Sequence, residues 1–198
     1  MVFALPRGGV PVAAPIAAML QAPLDLVLAR KIGAPFQPEL AMGAIADGGS
    51  PVVVRNEDVI AMAGVDEAEF DAACRRELAE IERRRHLHLG ARIRPEAVGR
   101  MAIVVDDGVA TGATTRAALR AVRARRPKTL VLAVPVAPPD VLEALRGEAD
   151  EIICLEVRAD FGAIGYFYAD FHQLDDREVI AVLDRLKSGD GKVRSSAN

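Results

Sequence analysis

Two adjacent acids and the threonine-rich loop after them are the residues of this sequence best suited to chemistry. Asp106 and Asp107 end the apolar run 102–105, and the next eight residues contain three threonines and two glycines. Carboxylates accept hydrogen bonds from vicinal hydroxyls, while loop amides and a helix N-terminus bind phosphate. The combination predicts a site for a phosphorylated sugar, because one such ligand satisfies both groups. The loop consists of Gly108, Val109, Ala110, Thr111, Gly112, Ala113, Thr114 and Thr115.

A second loop, after the first predicted strand, also has the composition of an anion site. Arg7 offers a planar set of donors for phosphate oxygens, and Gly8 and Gly9 let a ligand approach the main chain. Arg30 and Lys31 follow the next predicted strand, where basic side chains would point into the ligand crevice of an α/β sheet. Both segments also have a structural interpretation, as an ordinary strand-to-helix turn with a surface arginine and as an exposed basic pair.

Aromatic residues are concentrated near the C-terminal end. Five of the eight aromatic residues lie between Phe161 and Phe171, where two glycines argue against a plain helix. Tyr166 and Tyr168 offer flat faces to a heterocycle, and nearby acids could read its edge. The competing interpretation is that these rings only pack a C-terminal extension onto the core.

The elements that must position these residues are strands that alternate with helices along the sequence. This alternation predicts right-handed crossovers and a mainly parallel sheet. We expect the strands at 2–5 and 102–105 to be central neighbours, with strand 25–29 outside the first, and 129–135 and 151–156 outside the second. The strand order then reverses between the central pair, so the two anion loops face each other at the carboxyl edge. Helices are predicted at 12–20, 66–89, 116–125, 138–147 and 175–187.

Residues 33–55 are predicted to form a flap beside this sheet. Two prolines make 33–40 irregular, and strands at 41–46 and 52–55 form a hairpin around an Asp-Gly-Gly-Ser turn. The predicted fold class is therefore α/β, with a mainly parallel central sheet flanked by helices, a flap hairpin at about 33–55 and a small C-terminal hood at about 158–172.

Composition restricts the class of protein. The 198 residues are 51% hydrophobic and carry a net charge of −3, which fits one globular domain and gives no sign of nucleic-acid binding. No apolar run approaches the ~20 residues of a membrane span, and none at the start resembles a secretory signal. Two cysteines without a CxxC spacing favour reduced thiols and a cytoplasmic location. We expect one domain over 1–187 and a flexible polar tail over 188–198.

The segment from Ile103 to Thr115 resembles the signature of the type I phosphoribosyltransferases. It combines an apolar strand, an acidic pair and Thr-Gly-x-Thr at the family's spacing, which an ordinary glycine turn does not explain. The Arg-Lys-Ile-Gly stretch from Arg30 and the aromatic tail resemble a less characterised branch of unknown base specificity. The resemblance implies a glycosyltransferase (pentosyltransferase) that moves the 5-phosphoribosyl group of phosphoribosyl pyrophosphate to a nitrogenous base or other nitrogen nucleophile and releases pyrophosphate.

The resemblance also implies a role for each candidate residue. The two acids would hold the ribose and, through water, Mg²⁺, while residues 108–115 would hold the 5′-phosphate. The hood would stack on a purine or pyrimidine base, and a strained or cis peptide is expected beside Arg7. The implied catalytic residues are Asp106, Asp107 and Arg30; the implied substrate-binding residues are Arg7, Gly8, Gly9, Lys31, the loop 108–115, Tyr166 and Tyr168.

The acceptor base stays open at this stage. In 6-oxopurine enzymes of the family an acid precedes Thr-Gly; Ala110 stands there instead, as in the adenine, orotate and uracil types. Family members usually carry a helix before the first strand, which here begins at Val2, so a missing helix or a fused domain is also open. A homodimer acting in nucleotide salvage is the remaining expectation.

Three functions compete for this sequence. The first is an active transferase, and the second is a non-catalytic sensor of phosphoribosyl pyrophosphate or a nucleotide on the same fold. The third is an unrelated hydrolase, which the absence of a Gly-x-Ser-x-Gly or P-loop lysine motif disfavours.

Overall fold

The structure is a computed structural model that describes residues 1–48, 50–90 and 94–187, and these residues form eight strands and six helices. The predicted tail 188–198 lies outside these described residues. The elements are β1 (Val2–Ala4), α1 (Gly9–Met19), β2 (Leu24–Leu26), β3 (Ala29–Ala34), β4 (Gln37–Ala46), β5 (Val52–Arg55), α2 (Glu57–Ala63), α3 (Glu67–Leu89), β6 (Met101–Val105), α4 (Ala113–Ala124), β7 (Thr129–Ala137), α5 (Pro139–Leu145), β8 (Glu151–Val157), a 3₁₀ turn (Ile164–Phe167) and α6 (Asp176–Lys187).

The central sheet has the predicted order and direction. Its five strands are arranged β2-β1-β6-β7-β8, and all pairs are parallel. β1 and β6 are the central neighbours, with Val2 opposite Ile103 and Ala4 opposite Val105. Because the strand order reverses between them, the loops that follow β1 and β6 open onto the same edge.

Different helices cover the two faces of the central sheet. Ala102 and Val104 pack into a core with α4 and α5, while Ile103 and Val105 pack into a second core with α1, α3 and α6. The alternation along β6 therefore assigns each face its own helices. Among the described residues, no helix is both long and apolar enough to cross a bilayer.

The second strand is shorter than predicted. β2 ends at Leu26, and Arg30 and Lys31 lie inside β3, a strand of a separate antiparallel sheet with the order β3-β4-β5. The prediction that the basic pair ends a central strand is therefore wrong. The cause is local: Leu28 donates its N–H to Asp47 Oδ1 at 2.9 Å and accepts the Asp47 N–H at 2.8 Å, which draws the chain toward the hairpin.

The stretch 33–40, predicted as irregular, is mostly strand. β3 ends at Ala34 and β4 begins at Gln37, so the two strands are joined by a tight turn. Register shifts on both sides of Gly33 make room for Pro38, and a Cβ on Gly33 would lie only 2.9 Å from Pro38 Cα. Two prolines in eight residues therefore did not exclude a strand. A proline has no N–H to donate, and the β-bulge at Gly33 interrupts the pairing so that none is needed there.

Part of the predicted flap 33–55 belongs to the core, because residues 42–47 are all buried. Met42, Ala44 and Ile45 are fully or almost fully buried, and the small sheet packs against α3 and α4. Among the described residues of this segment, the longest exposed stretch is the tip at 35–39. A closing movement over a ligand stays a prediction for that tip alone.

The long helix α3 begins and ends where its sequence predicted. Asp66 accepts the Glu69 N–H at 2.8 Å while the Glu69 side chain accepts the Asp66 N–H at 3.0 Å, and Gly90 ends the helix with a φ of 52°. Arg83 and Arg84 on α3 both pair with Glu80, which is typical of a solvated helix face. The helix α2 was not predicted from the sequence.

Candidate functional site

The two candidate anion loops meet at the carboxyl edge of β1 and β6. Leu5 donates its N–H to Val105 O at 2.9 Å, and Gly9 donates to Leu5 O at 3.0 Å, so the first loop turns back against the end of β6. The Pro6–Arg7 peptide bond is cis, as the family resemblance implied. α1 begins at Gly9, three residues before its predicted start, and its N-terminus therefore lies in the site.

Glycine is required at positions 8 and 9 because the first loop touches the acidic pair. A Cβ on Gly9 would lie 2.6 Å from Val105 O and 3.0 Å from Asp106 Cα. A Cβ on Gly8 would overlap the Asp107 carboxylate itself, at Oδ2 and Cγ. The sequence signals at 7–9 and at 106–107 thus belong to one site.

Burial and mutual repulsion make the acidic pair poor at holding charge without a partner. Burial first, and then the charge of Asp107, raise the pKa of Asp106 well above its usual range. Burial also raises the pKa of Asp107. Asp106 Oδ1 accepts the Asp107 N–H at 2.9 Å, which fixes one carboxylate oxygen. A cation or several hydroxyl donors would stabilise the ionised pair.

The threonine-rich loop ends in the N-terminus of α4, which begins at Ala113 rather than at the predicted Arg116. Gly112 precedes it with a φ of 77°, and no side chain of the described residues caps its first turn. Its first N–H groups and its positive dipole end are therefore available to an anion. Thr111 is exposed and Thr114 half-buried, whereas the side chain of Thr115 is buried in the core, so Thr115 can offer a ligand only its main chain.

Gly108 and Val109, the two residues after the acids, contact the hood and β7. Val109 donates its N–H to Val136 O at 3.0 Å, which ties the loop to β7. Gly108 lies against the hood, since a Cβ there would be 3.0 Å from Ile164 Cγ2. Ala110 is exposed beyond them.

The structure places the three predicted cations differently. The side chain of Arg7 makes no hydrogen bond or salt bridge with another described residue, although its charge helps to lower the pKa of Asp176, and it lines the cleft next to Asp107. The Arg30 guanidinium instead pairs with Glu77 of α3, and Lys31 Nζ lies 3.0 Å from Glu39 Oε2. Arg7 is therefore brought to the acidic pair, whereas Arg30 and Lys31 are engaged by carboxylates outside the cleft.

The hood is attached to the acidic pair through Tyr168. Its hydroxyl donates to the main-chain O of Asp107 at 2.6 Å, and its ring packs on Phe171 with 5.2 Å between centroids. Burial and the two acids raise the pKa of Tyr168 to about 12, so the hydroxyl stays a donor. Tyr166 is 82% exposed and lies against Gly162. The predicted stacking role thus stays a prediction for both rings, and Tyr168 has a positioning contact that its sequence did not indicate.

A cleft of about 640 Å³ opens between the start of α1 and the segment that leads from the hood to α6. The far wall includes the end of the predicted hood at 158–172, but the sequence did not single out His172, Gln173 or Leu174 as cleft residues. His172 stands there between Asp170 at 3.2 Å and Glu178 at 3.1 Å, and those carboxylates, Glu178 first, raise the pKa of the imidazole. The lining residues are Arg7, Gly8, Pro11, Val12, Asp107, Tyr168, Asp170, Phe171, His172, Gln173 and Leu174.

Comparison with known proteins identifies the family to which the chain is similar. A family model described as "Phosphoribosyl transferase domain" matches residues 1–172. Two Mycobacterium tuberculosis proteins, each named "Putative phosphoribosyl transferase" (MT0597 and Rv0571c), are 49% identical over 185 residues, 93% of this chain. That alignment spans only 41% of each relative's length. The crystal structure of TT1426 from Thermus thermophilus matches with a TM-score of 0.73 at 40% identity, covering 92% of this chain and 85% of that one.

Proposed function

Because this chain belongs to the phosphoribosyl transferase family, we propose that it transfers the 5-phosphoribosyl group of phosphoribosyl pyrophosphate to a nitrogen nucleophile. A purine or pyrimidine base is the expected acceptor, and pyrophosphate is the other product. The observation that carries this proposal is the contact of the glycine loop with the acidic pair beside the uncapped start of α4. One phosphorylated pentose with a pyrophosphate fits all three features.

The sugar end of the substrate would lie on β6 and α4. The 5′-phosphate would accept hydrogen bonds from the main-chain N–H groups at 111–115, at the positive end of the α4 dipole. The ribose hydroxyls would donate to Asp106 and Asp107 and thereby favour the ionised carboxylates, which burial otherwise disfavours. Fixing both ends of the pentose leaves its anomeric carbon exposed to an acceptor.

The pyrophosphate would lie on the first loop. The guanidinium of Arg7 is not held in a hydrogen bond or salt bridge by any described residue, and a guanidinium is a strong bidentate donor to phosphate oxygens. Gly8 and Gly9 bring the main chain to the acids, so that pyrophosphate and ribose are held side by side. Arg30 and Lys31 could assist only by exchanging Glu77 and Glu39 for phosphate oxygens.

The donor set fits Mg²⁺ as the metal. Two adjacent carboxylates are hard oxygen ligands, and both have a raised pKa that a divalent cation would lower. Among residues 1–48, 50–90 and 94–187 there is no cluster of three or more metal-binding side chains, so water and substrate oxygens would complete the shell. Asp106 and Asp107 would hold the ion through water, and the ion would neutralise charge on the leaving pyrophosphate.

The reaction then needs no covalent nucleophile from the protein. As the bond from the anomeric carbon to pyrophosphate breaks, positive charge develops on the sugar and negative charge on the leaving group. The acidic pair would stabilise the first, and Arg7 the second. The hood, held to Asp107 by Tyr168, would cover the acceptor and exclude water from the sugar cation. With a free base as acceptor, the reaction would be nucleotide salvage in the cytoplasm.

A panel assay tests the proposal. Phosphoribosyl pyrophosphate and Mg²⁺ are mixed with each of a set of purines and pyrimidines, and pyrophosphate release is measured. We expect release with at least one base, and its loss in the double variant Asp106→Asn/Asp107→Asn. Asp58→Asn, which changes an exposed acid in the first turn of α2, is the matched control and should keep the activity. Binding that the double variant leaves unchanged would refute the assigned site.

One observation favours the alternative, a non-catalytic sensor. Arg30, one of the three residues implied as catalytic, is engaged by Glu77 rather than directed to the cleft. A sensor would bind phosphoribosyl pyrophosphate tightly and release pyrophosphate with no base in the panel. Release with any base, abolished by the double variant, would exclude it.

A further inference from the structure

His88, in the last turn of α3, is a polar side chain that is buried without being fully paired. Its side chain has no exposed surface, and its Nε2 lies 2.9 Å from Asp176 Oδ1 at the start of α6. The second ring nitrogen, Nδ1, is also buried and has no hydrogen-bond partner among the described residues. A buried polar atom without a partner destabilises the folded chain, and an apolar side chain would not carry that penalty. The histidine therefore needs an explanation other than stability.

The hydrogen bond between these two side chains has a defined direction. The pKa of Asp176 lies below its usual range, first of all because of the bond to His88, so the carboxylate is ionised near neutral pH and can only accept. His88 Nε2 therefore carries the proton and donates it to Asp176 Oδ1. Because this contact holds one of the two carboxylate oxygens, it restrains the rotation of the whole carboxylate.

The helix α6 does not depend on Asp176 for its start or for its position. Asp175 Oδ1 accepts the Glu178 N–H at 2.8 Å, and Glu178 Oε2 accepts the Asp175 N–H at 2.8 Å, so this reciprocal pair caps the helix. Val179 and Leu183 are buried in the same apolar core as α1. The cap and the packing together account for α6, which leaves the carboxylate of Asp176 for another role.

Among the arginines whose charge acts on Asp176, Arg7 is the one that lines the cleft. The others are Arg83 and Arg84 of α3. Both of those are held by Glu80, at 2.7 and 2.8 Å. The guanidinium of Arg7 has no such partner in the part of the chain that the structure describes, and the far wall of its cleft ends directly before α6. Arg7 is thus free to respond to the orientation of the carboxylate.

On the basis of the transferase function proposed above, we propose that Asp176, held by His88, is a positioning residue that orients the guanidinium of Arg7 for the leaving pyrophosphate. An ionised carboxylate that attracts the guanidinium through space, without a salt bridge, keeps Arg7 at the cleft and leaves its donors free for phosphate oxygens. His88 acts only through Asp176, as an outer residue acts through a metal ligand. The unpartnered Nδ1 is then stability that the chain gives up for an oriented carboxylate.

The charge of Asp176 and its orientation have opposite effects on a bound anion. The charge repels pyrophosphate, so Asp176→Asn removes a repulsion together with the orienting group. His88→Leu separates the two effects, because it leaves the charge in place and removes only the restraint. Leucine has a similar volume and no unpaired nitrogen, so this variant should melt at or above the wild-type temperature.

Calorimetry with phosphoribosyl pyrophosphate and Mg²⁺ tests the proposal in a set of variants. We expect His88→Leu to weaken binding about 10-fold, and His88→Gln, whose amide N–H can replace Nε2–H, to bind as the wild type does. In an Arg7→Ala background His88→Leu should have no further effect, because the guanidinium on which it acts is gone. His86→Leu, at an exposed histidine on the same helix, is the matched control and should keep the wild-type affinity.

NMR titration of the Asp176 carboxyl gives a second measurement that needs no ligand. The pKa of Asp176 should rise in His88→Leu and, by less, in Arg7→Ala, because each change removes a group that lowers it. A pKa that Arg7→Ala leaves unchanged would mean that the two groups do not face each other, and would overturn the positioning role.

The binding results separate this role from the transferase function itself. A wild type that does not bind phosphoribosyl pyrophosphate would overturn both. If the wild type binds, an unchanged affinity in His88→Leu overturns the positioning role alone, and so does an equal loss with and without Arg7. Tighter binding in Asp176→Asn would mean that the carboxylate only repels the ligand, which also contradicts the proposal.

Discussion

Replacing Gly8 by alanine should separate function from folding at the proposed site. Gly8 has a φ of −62° and a ψ of −35°, which alanine adopts without strain. The new Cβ would nevertheless overlap Asp107 Oδ2 and Cγ, and would lie 3.1 Å from Oδ1. The change therefore acts on one side chain, the carboxylate of Asp107, and leaves the backbone as it is.

The size of the effect follows from the displacement. An ordinary carbon–oxygen contact needs ~3.5 Å, so the Asp107 carboxylate must move by more than about 1 Å. A misplacement of that size costs about 100-fold in a reacting geometry, or ~2.7 kcal/mol. Stability should change little, because an off-rotamer side chain costs ~0.5–1.5 kcal/mol and the Gly→Ala change returns ~0.4–1 kcal/mol.

Calorimetry with phosphoribosyl pyrophosphate and Mg²⁺, together with thermal unfolding, measures both quantities. We expect Gly8→Ala to weaken binding and to lower the rate of pyrophosphate release about 100-fold, with nearly the wild-type melting temperature. Gly147→Ala, where nothing lies within 4 Å of the new Cβ, should change neither. Gly9→Ala should lower the melting temperature instead, since its Cβ meets the backbone oxygen of Val105 at 2.6 Å. Wild-type affinity in Gly8→Ala would refute the assignment of the acidic pair to the ligand.

Four further substitutions test the electrostatics and the hood. Burial raises the pKa of Asp106 in the folded chain. The contribution of this carboxyl to the free energy of unfolding is therefore complete at acid pH and is lost as the pH rises through the raised pKa. Asp106→Asn should raise the melting temperature by at least about 2 °C at pH 8 and should not raise it at pH 4. Tyr168→Phe removes one hydrogen bond to the main chain and should cost about 1 kcal/mol of unfolding free energy in denaturant titration. Arg7→Ala should weaken binding of phosphoribosyl pyrophosphate at least ~30-fold in calorimetry without lowering the melting temperature. Arg30→Ala should lower the melting temperature, because Glu77 loses its partner.

Each of these changes has a result that contradicts it. A stabilisation by Asp106→Asn that is equal at both pH values would mean that the carboxylate is not a buried charge. An unchanged unfolding free energy in Tyr168→Phe would mean that the hood is held by packing alone. Equal loss of affinity in Arg7→Ala and Arg30→Ala, with equal melting temperatures, would place both cations on the ligand.

The central sheet could be predicted from the sequence because its signals are local and mutually consistent. The continuous apolar run before Asp106 predicts a strand buried on both faces, and the helices between strands predict right-handed crossovers. Once β1 and β6 were neighbours, the meeting of Gly8 with Asp107 followed from topology. The cis bond beside Arg7 came from the family resemblance and from no local signal.

The errors arose where distant residues override local preference. The hydrogen bonds between Asp47 and Leu28 end β2 early and place Arg30 in another sheet. No residue close to Arg30 in the sequence predicts this change of sheet. The bulge at Gly33 admits a proline into β4. The bond from Tyr168 to Asp107 depends on the path of an irregular segment, which sequence periodicity does not describe.

A crystal structure of the chain with ribose 5-phosphate is the most direct measurement of the proposed pocket. The phosphate is expected on the main-chain N–H groups of Thr111–Thr115, and the ring hydroxyls within hydrogen-bonding distance of Asp106 and Asp107. A sugar phosphate that binds elsewhere, or a pocket that stays empty at saturating concentration, would contradict the proposed chemistry.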